Sequence, residues 1–407
     1  MRDRLHFLLL NIGHFLDHLF TLIFATVAAL ALYREWGLGY ADLLKYATPG
    51  FLAFGLFALP AGWLADKWSR EGMMSVFFFG IGLASIATAF ARTPFEVGLG
   101  LFVVGVFAAI YHPVGLAIVV AKWKNTGMRI AVNGVFGNLG VASAALITGY
   151  FIDHGGWRIA FIVPGVVAIA MGIVYTVLRW DEIRSQIAQS RTPGAAKVAV
   201  QVVQPADVKA MLLRISMIVF LTTAVSSIVF QSTTFALPKV FDERLGGIAT
   251  SATVLGQLAF VVFALASMGQ LIVGHFLDKL GPRIVFMTAA FVQLVFFSLM
   301  PGLSDWAALA CAMVFMLAAF GQIPINDYMI GRVAEGEWRA RIYGVRYVVS
   351  FTVLAAALPL IAFIYERWGF DALFRVLAVS AAVILAAVFM LPQRLPEPQG
   401  AAAARVV

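Results

Sequence analysis

The sequence predicts an all-α membrane protein of twelve transmembrane helices, arranged as two pseudo-symmetric six-helix bundles. Three observations point there. The 407 residues are 62% hydrophobic and only 12% charged, against roughly 25% charged in a soluble globular domain. The apolar residues fall in long runs between charged or Gly/Pro breaks, and a helix needs about 20 of them at ~1.5 Å rise to cross the hydrocarbon. The two halves of the chain also repeat each other's local patterns at a nearly constant offset.

The first span, 5–33, follows Met-Arg-Asp-Arg. Its apolar stretch exceeds the usual ~7–15 residues of a signal peptide, so it reads as a retained helix. It carries Asp17 between His14 and His18. Asp17 lies about 18 Å along the helix from Leu5, close to mid-membrane. An ionisable group there costs about 2.5–3.5 kcal/mol and marks an ion or substrate path. Asn11, His14, Asp17, His18 and Thr21 share about 120° of the helix surface, a face expected to turn towards a central cavity. A carboxylate beside two imidazoles can take up and release protons near neutral pH. Asp17 is therefore read as the proton carrier, with His14 and His18 modulating it. Two imidazoles at i,i+4 with a carboxylate could in principle hold zinc. With no Cys or further His nearby in sequence, no metal and no cofactor is assigned.

The second, third and fourth spans are 41–65, 72–91 and 95–121. Tyr111-His112-Pro113 in the fourth combines a polar pair with a helix-bending proline. His112 is a further proton-site candidate and Tyr111 a cavity residue. The fifth span, 129–152, is glycine-rich and carries Asn133 and Asn138; Asn138 is a cavity candidate and close helix packing is expected around it. The sixth is 157–179, which closes an N-terminal bundle of residues 1–179. A polar linker, 180–209, contains Pro193, Gly194 and Pro205.

The second bundle, 210–391, has spans at 210–240, 250–277, 283–301, 306–332, 339–365 and 370–391, followed by a tail, 392–407. The seventh span keeps only neutral groups on its polar face, with Gln231 and Thr234 as cavity candidates. The tenth carries Gln322, Pro324, Asn326 and Asp327. Gln322 and Asn326 are one turn apart and are expected to line the pocket. Asp327 is expected to gate the cytoplasmic side. Arg346 in the eleventh span could pair with Asp327 or bind an anionic substrate.

An even number of spans puts both termini on one side. That side holds 20 Lys and Arg against seven on the other, while the acidic residues divide ten to nine. Only the basic residues are biased, so the termini are expected in the cytoplasm, in a bacterial inner membrane. The net charge of +8 then needs no nucleic-acid partner. There is no Walker glycine loop, and no catalytic triad can be discerned, so neither an ATP-driven pump nor an enzyme is expected. The partners are the bilayer, protons and a small molecule, and a monomer is expected.

The repeat is specific. Gly62-Trp-Leu-Ala-Asp66-Lys67 recurs as Gly274-His-Phe-Leu-Asp278-Lys279, followed by Arg70 and Arg283 respectively. Arg129-Ile130 recurs as Arg341-Ile342. Parallel repeats of this kind predict two bundles flanking a midplane site. These loops resemble the G-x-L-a-D-[RK]-x-G-R-[RK] pattern of the major facilitator superfamily, with Glu71 where the final basic residue belongs. The resemblance implies that Gly62, Asp66, Arg70, Gly274, Asp278 and Arg283 latch the bundles on the cytoplasmic side. His14-Phe-Leu-Asp17, Tyr111-His112-Pro113, Gly137-Asn138-Leu139-Gly140 and Gly156-Trp157-Arg158…Phe161 further resemble the fosmidomycin-resistance-like branch of drug exporters. That resemblance implies export of a small molecule by proton antiport, with efflux and drug resistance as the outcome. A proton symporter importing an organic anion is the first alternative, and a non-cycling receptor or scaffold the second.

Overall fold

The structure, a computed structural model, describes residues 2–123, 126–190, 206–333 and 338–391, apart from the side chains at 126–127, 206–213, 278, 327, 330–333, 338–348, 351 and 354. Every regular element among the described residues is helical. They are α1 (Arg2–Glu35), α2 (Tyr40–Lys67), α3 (Arg70–Ala89), α4 (Pro94–Lys122), α5 (Thr126–Gly155), α6 (Trp157–Ser190), α7 (Ala206–Arg244), α8 (Ala252–Leu280), α9 (Pro282–Leu299), α10 (Asp305–Val333) and α11 (Trp338–Phe389). Among the described residues, eleven helices are long and apolar enough to cross a membrane. The chain is a multi-pass membrane protein.

Local chemistry explains where the helices start and stop. The Ser69 hydroxyl caps α3 by accepting from Gly72 N at 2.9 Å. Thr93 caps α4 by accepting from Glu96 N at 3.2 Å, ahead of Pro94 at the first helical position. Gly281, at φ +77°, turns the chain from α8 into α9, where Pro282 starts the next helix. Inside α4 the helix loosens at 109–110 and resumes at Tyr111. Pro113 cannot donate to the Ala109 carbonyl, and Ile110 N turns back to Phe107 O at 3.1 Å.

The last rod, α11, has 52 residues, or about 78 Å, more than twice the ~30 Å hydrocarbon core. Gly369 breaks it with φ 70° and ψ −172°, at the boundary the sequence places between its final two spans. At the other predicted boundary, α6 does not stop at 179 but continues to Ser190. Residues 181–190 contain no Gly or Pro. Arg179 pairs with Glu182 at 2.7 Å one turn on, and Ile183 is buried, so the helix continues into the start of the linker.

Within the first half α1 packs on α5, α3 on α6 and α2 on α4; within the second, α8 packs on α10, and α7 and α9 on α11. Two long contacts join the halves: α5 runs along α8, and α2 along α11. Small residues allow the first of these. A side chain added at Gly149 would strike the Ala252 carbonyl, and one at Gly256 the Ala145 carbonyl.

The junction is tightest at the end of the helices opposite Arg2, the far end. There Asp153 on α5 accepts from Thr253 N at 2.7 Å and from the Thr253 hydroxyl at 2.5 Å, over the N-terminus of α8. Asp242 on α7 accepts from Tyr33 and Arg34 on α1, both at 3.5 Å. The Tyr40 and Tyr365 rings meet edge-on at 5.4 Å. The hydrogen bonds of Asp153 with Thr253 and of Asp242 with Tyr33 and Arg34 thus join the halves at this far end.

The far-end junction is testable with cysteines, because Cys311 is the chain's single cysteine. In a Cys311→Ala background, the pair Asp153→Cys and Thr253→Cys should lose both free thiols to a mild oxidant, read by maleimide labelling. Full labelling after oxidation would show that α5 and α8 do not rest in contact there.

Candidate functional site

The polar face of α1 turns inward, against α4 and α5. Asp17 is fully buried, and neither of its oxygens accepts a hydrogen bond. Its nearest basic group is His112, whose Nε2 lies 3.5 Å from Asp17 Oδ2. His14 Nδ1 is 2.8 Å from the Asn133 carbonyl, which can only accept, so Nδ1 carries the hydrogen. That leaves His14 Nε2 facing His18 Nε2 at 3.2 Å. The His14 ring stacks on Tyr111, with centroids 4.8 Å apart and planes 17° apart. The His112 ring stands edge-on to His14 at 5.2 Å and to His18 at 5.4 Å. Gly137 makes room for this, since a Cβ there would fall 2.7 Å from the His14 ring. The fold thus gathers Asp17, His14 and His18 with His112, about 95 residues away in the chain and on another helix.

The neighbouring amides bond to one another. Asn133 Nδ2 donates to Asn11 Oδ1 at 2.9 Å and to the Tyr111 hydroxyl at 2.8 Å, and Tyr111 donates to Leu10 O at 2.7 Å. Asn11 and Tyr111, expected to line a substrate cavity, are instead buried at 2% and 0% exposure. Their bonds to Asn133 brace α1, α4 and α5, while Asn133 Oδ1 is left without a partner. Thr21 does reach a cavity of about 20 Å³, enclosed chiefly by Phe20, Phe51, Phe54 and Phe235. Asn138 is half-buried on α5.

In the second half, Gln231 is half-buried. The Thr234 hydroxyl turns back to Phe230 O at 2.7 Å on its own helix. Gln322, expected in the pocket, is buried and donates to Gln293 Oε1 on α9 at 2.7 Å. The sequence offered no sign of that pairing. Asn326 is buried with an unpartnered Oδ1. The side chains of Arg346, Asp327 and Asp278 lie outside the described residues.

Among the described side chains expected to form the latch, the contacts seen lie within each half. Asp66 pairs with Arg70 one turn away at 2.7 Å, both exposed. Gly62 packs against Pro113, where an added Cβ would lie 3.2 Å from its ring. Arg283 donates to Phe389 O at 2.8 Å, and Gly274 faces open space. With the halves joined at the far end, each of these groups finds its partner within its own half or has none near.

Glu71, the departure from the loop pattern, has a different role. It is 3% exposed and faces into the first half. The Tyr175 hydroxyl donates to it, Arg179 Nη2 lies at 3.1 Å and His6 Nε2 at 3.2 Å. Lys122 extends the network, 3.2 Å from His6 Nδ1 and 3.0 Å from Asp3. One carboxylate thus ties together α1, α3 and α6, with α4 attached through Lys122. Glu71 was the visible clue; His6, Tyr175 and Arg179 gave no local signal. Glu71→Ala would leave Arg179 with Glu182 alone and take the acceptor from the buried Tyr175 hydroxyl, a loss of about 1–3 kcal/mol. A clear drop in Tm in detergent is expected, larger than for Glu71→Gln, and an unchanged Tm would contradict the network's role.

Residues 10–254 and 219–406 match the Major Facilitator Superfamily, and the chain belongs to it. Over 145 residues it is 26% identical to a gallate transporter of Pseudomonas putida, covering 35% of this chain and 32% of that protein. Over 182 residues it is 30% identical to the niacin transporter NiaP of Acinetobacter baylyi, covering 43% and 40%. Over 146 residues it is 30% identical to the puromycin resistance protein pur8 of Streptomyces alboniger, covering 35% and 29%. These matches span less than half of each relative. In fold, the chain superposes on a D-xylose–proton symporter with a TM-score of 0.70 at 13% identity, covering 96% of this chain and 97% of that one.

Proposed function

We propose that this member of the superfamily is a proton-coupled secondary transporter that carries a small organic acid across a bacterial inner membrane by alternating access, substrate and proton moving together. The observation that carries the reading is the convergence of Asp17, His14, His18 and His112 on one buried point. A bare carboxylate without donors is costly in a low-dielectric interior. Asp17 therefore holds its proton while enclosed and gives it up when water reaches it, with the imidazoles as its relay. One proton moving down a membrane potential supplies about 2.3 kcal/mol per 100 mV.

The orientation rests on the bias of Lys and Arg towards the loops at the terminal end. With that end cytoplasmic, Gly369 divides α11 into two spans, the chain crosses twelve times, and the structure is the state closed to the outside. The fosmidomycin-resistance-like branch and export by antiport, which the sequence patterns suggest, give way to the organic-acid reading. Gallate and niacin, the cargoes named for two relatives, are both small aromatic carboxylic acids. Export by antiport is the second reading, favoured by the match to the puromycin resistance protein.

Purified protein in proteoliposomes decides between them. With the lumen alkaline, labelled gallate or nicotinate should accumulate inside. Accumulation only with the opposite gradient would establish antiport. Asp17→Asn should lose at least tenfold of the gradient-driven accumulation while retaining exchange of labelled for unlabelled substrate. Full gradient-driven accumulation by that variant would remove Asp17 from the mechanism.

A further inference from the structure

The cluster has a second chemical capacity. The ligand-capable nitrogens of His14, His18 and His112 all lie within 4.8 Å of one another. His14 Nε2 and His18 Nε2 are 3.2 Å apart. Two nitrogens bound tetrahedrally to one zinc at ~2.0–2.1 Å stand about 3.3–3.4 Å apart. The pair is therefore already spaced as adjacent ligands. The hydrogen bond from His14 Nδ1 to the Asn133 carbonyl is the outer contact that fixes a metal-binding imidazole in the tautomer with Nε2 free to coordinate. Stacking on Tyr111 holds the same ring in plane.

A second, independent observation points to a cation. Asp17 is fully buried, both its oxygens lack a hydrogen-bond donor, and one lies 3.5 Å from His112 Nε2. A carboxylate in contact with a coordinating imidazole is the usual companion of a zinc-bound histidine. It also supplies negative charge beside a divalent ion. His18 and His112 remain partly exposed, so the point is not sealed on all sides.

We propose that His14, His18 and His112 form a site for a divalent transition-metal ion, Zn²⁺ being the ion that suits three imidazoles, with Asp17 as its charge-balancing carboxylate beside His112. Three nitrogen donors leave a fourth position for Asp17 itself or for water. All three ligands belong to α1 and α4, so a bound ion clamps these helices to each other without bridging the two halves. It would also take the imidazoles out of the proton relay. The inference stands apart from the transport reading, because binding is measured without transport.

The test uses full-length protein in detergent, freed of metal by a chelator. Titration with Co²⁺ should give the visible absorption of a four-coordinate ion, saturating at one equivalent per chain and displaced by Zn²⁺. His18→Ala and His112→Ala should each weaken Zn²⁺ binding by at least 30-fold, measured by competition with a chromogenic chelator. His14 is left intact because its ring also anchors Asn133. His154→Ala, at the far end of α5, should bind as the unaltered protein does. Thermal melts establish that each variant is folded before it is scored. Absence of saturable binding, or equal affinity in folded His18→Ala and His112→Ala proteins, would overturn the proposal.

Discussion

The constraint that organises this molecule is the expense of placing an ionisable group away from water. The first half meets it in two opposite ways. Glu71 is buried with Tyr175, Arg179 and His6 around it, so its charge is matched and its lone pairs are occupied. Asp17 is buried with no hydrogen bond to either oxygen. The two carboxyls sit on adjoining helices of the same bundle. One is a fastening, because nothing is gained by changing its state. The other is left in a position where gaining or losing a proton or a cation changes the energy of the whole site.

The second half shows what the same scaffold looks like without that demand. At the offset relating the halves, the positions of His14, Asp17 and His18 are taken by Ser226, Val229 and Phe230. Val229 is fully buried, and the Phe230 ring packs on Phe320 at 5.0 Å. Amides pair there instead, as Gln293 does with Gln322. Neutral groups tolerate burial with one partner each. At these matched positions ionisable groups stand on α1, with His112 of α4 beside them, and neutral side chains stand on α7.

Much of the fold was legible in the sequence, because spans are long, apolar and punctuated. The boundary marked by Gly369 between the last two spans and the inward face of α1 follow from local pattern. So did the individual candidacies of Asp17 and His112. Their meeting was not legible, since nothing in α1 or α4 specifies how the two helices are rotated against each other. The same gap hid the pairing of Gln322 with Gln293 and the occupation of Asn11 by Asn133. The helical start of the polar stretch was not legible for a different reason: a polar run of good helix formers continues a helix once it leaves the apolar layer.

The helix that joins these parts is α5. Near its start, the carbonyl of Asn133 holds His14, and its amide holds Asn11 and Tyr111. Twenty residues later, about 30 Å along the same rod, Asp153 grips the first turn of α8. Between them Gly149 lets the two helices touch, and Gly137 and Gly140 let α5 lie against α1. A straight helix transmits displacement along its length. Parting α5 from α8 at the far end must therefore tilt the rod that positions His14, and altering the contacts of His14 must bias the far-end junction. On the proposed reading, access and protonation would be coupled through this one element, since α5 touches both the His14 ring and the first turn of α8.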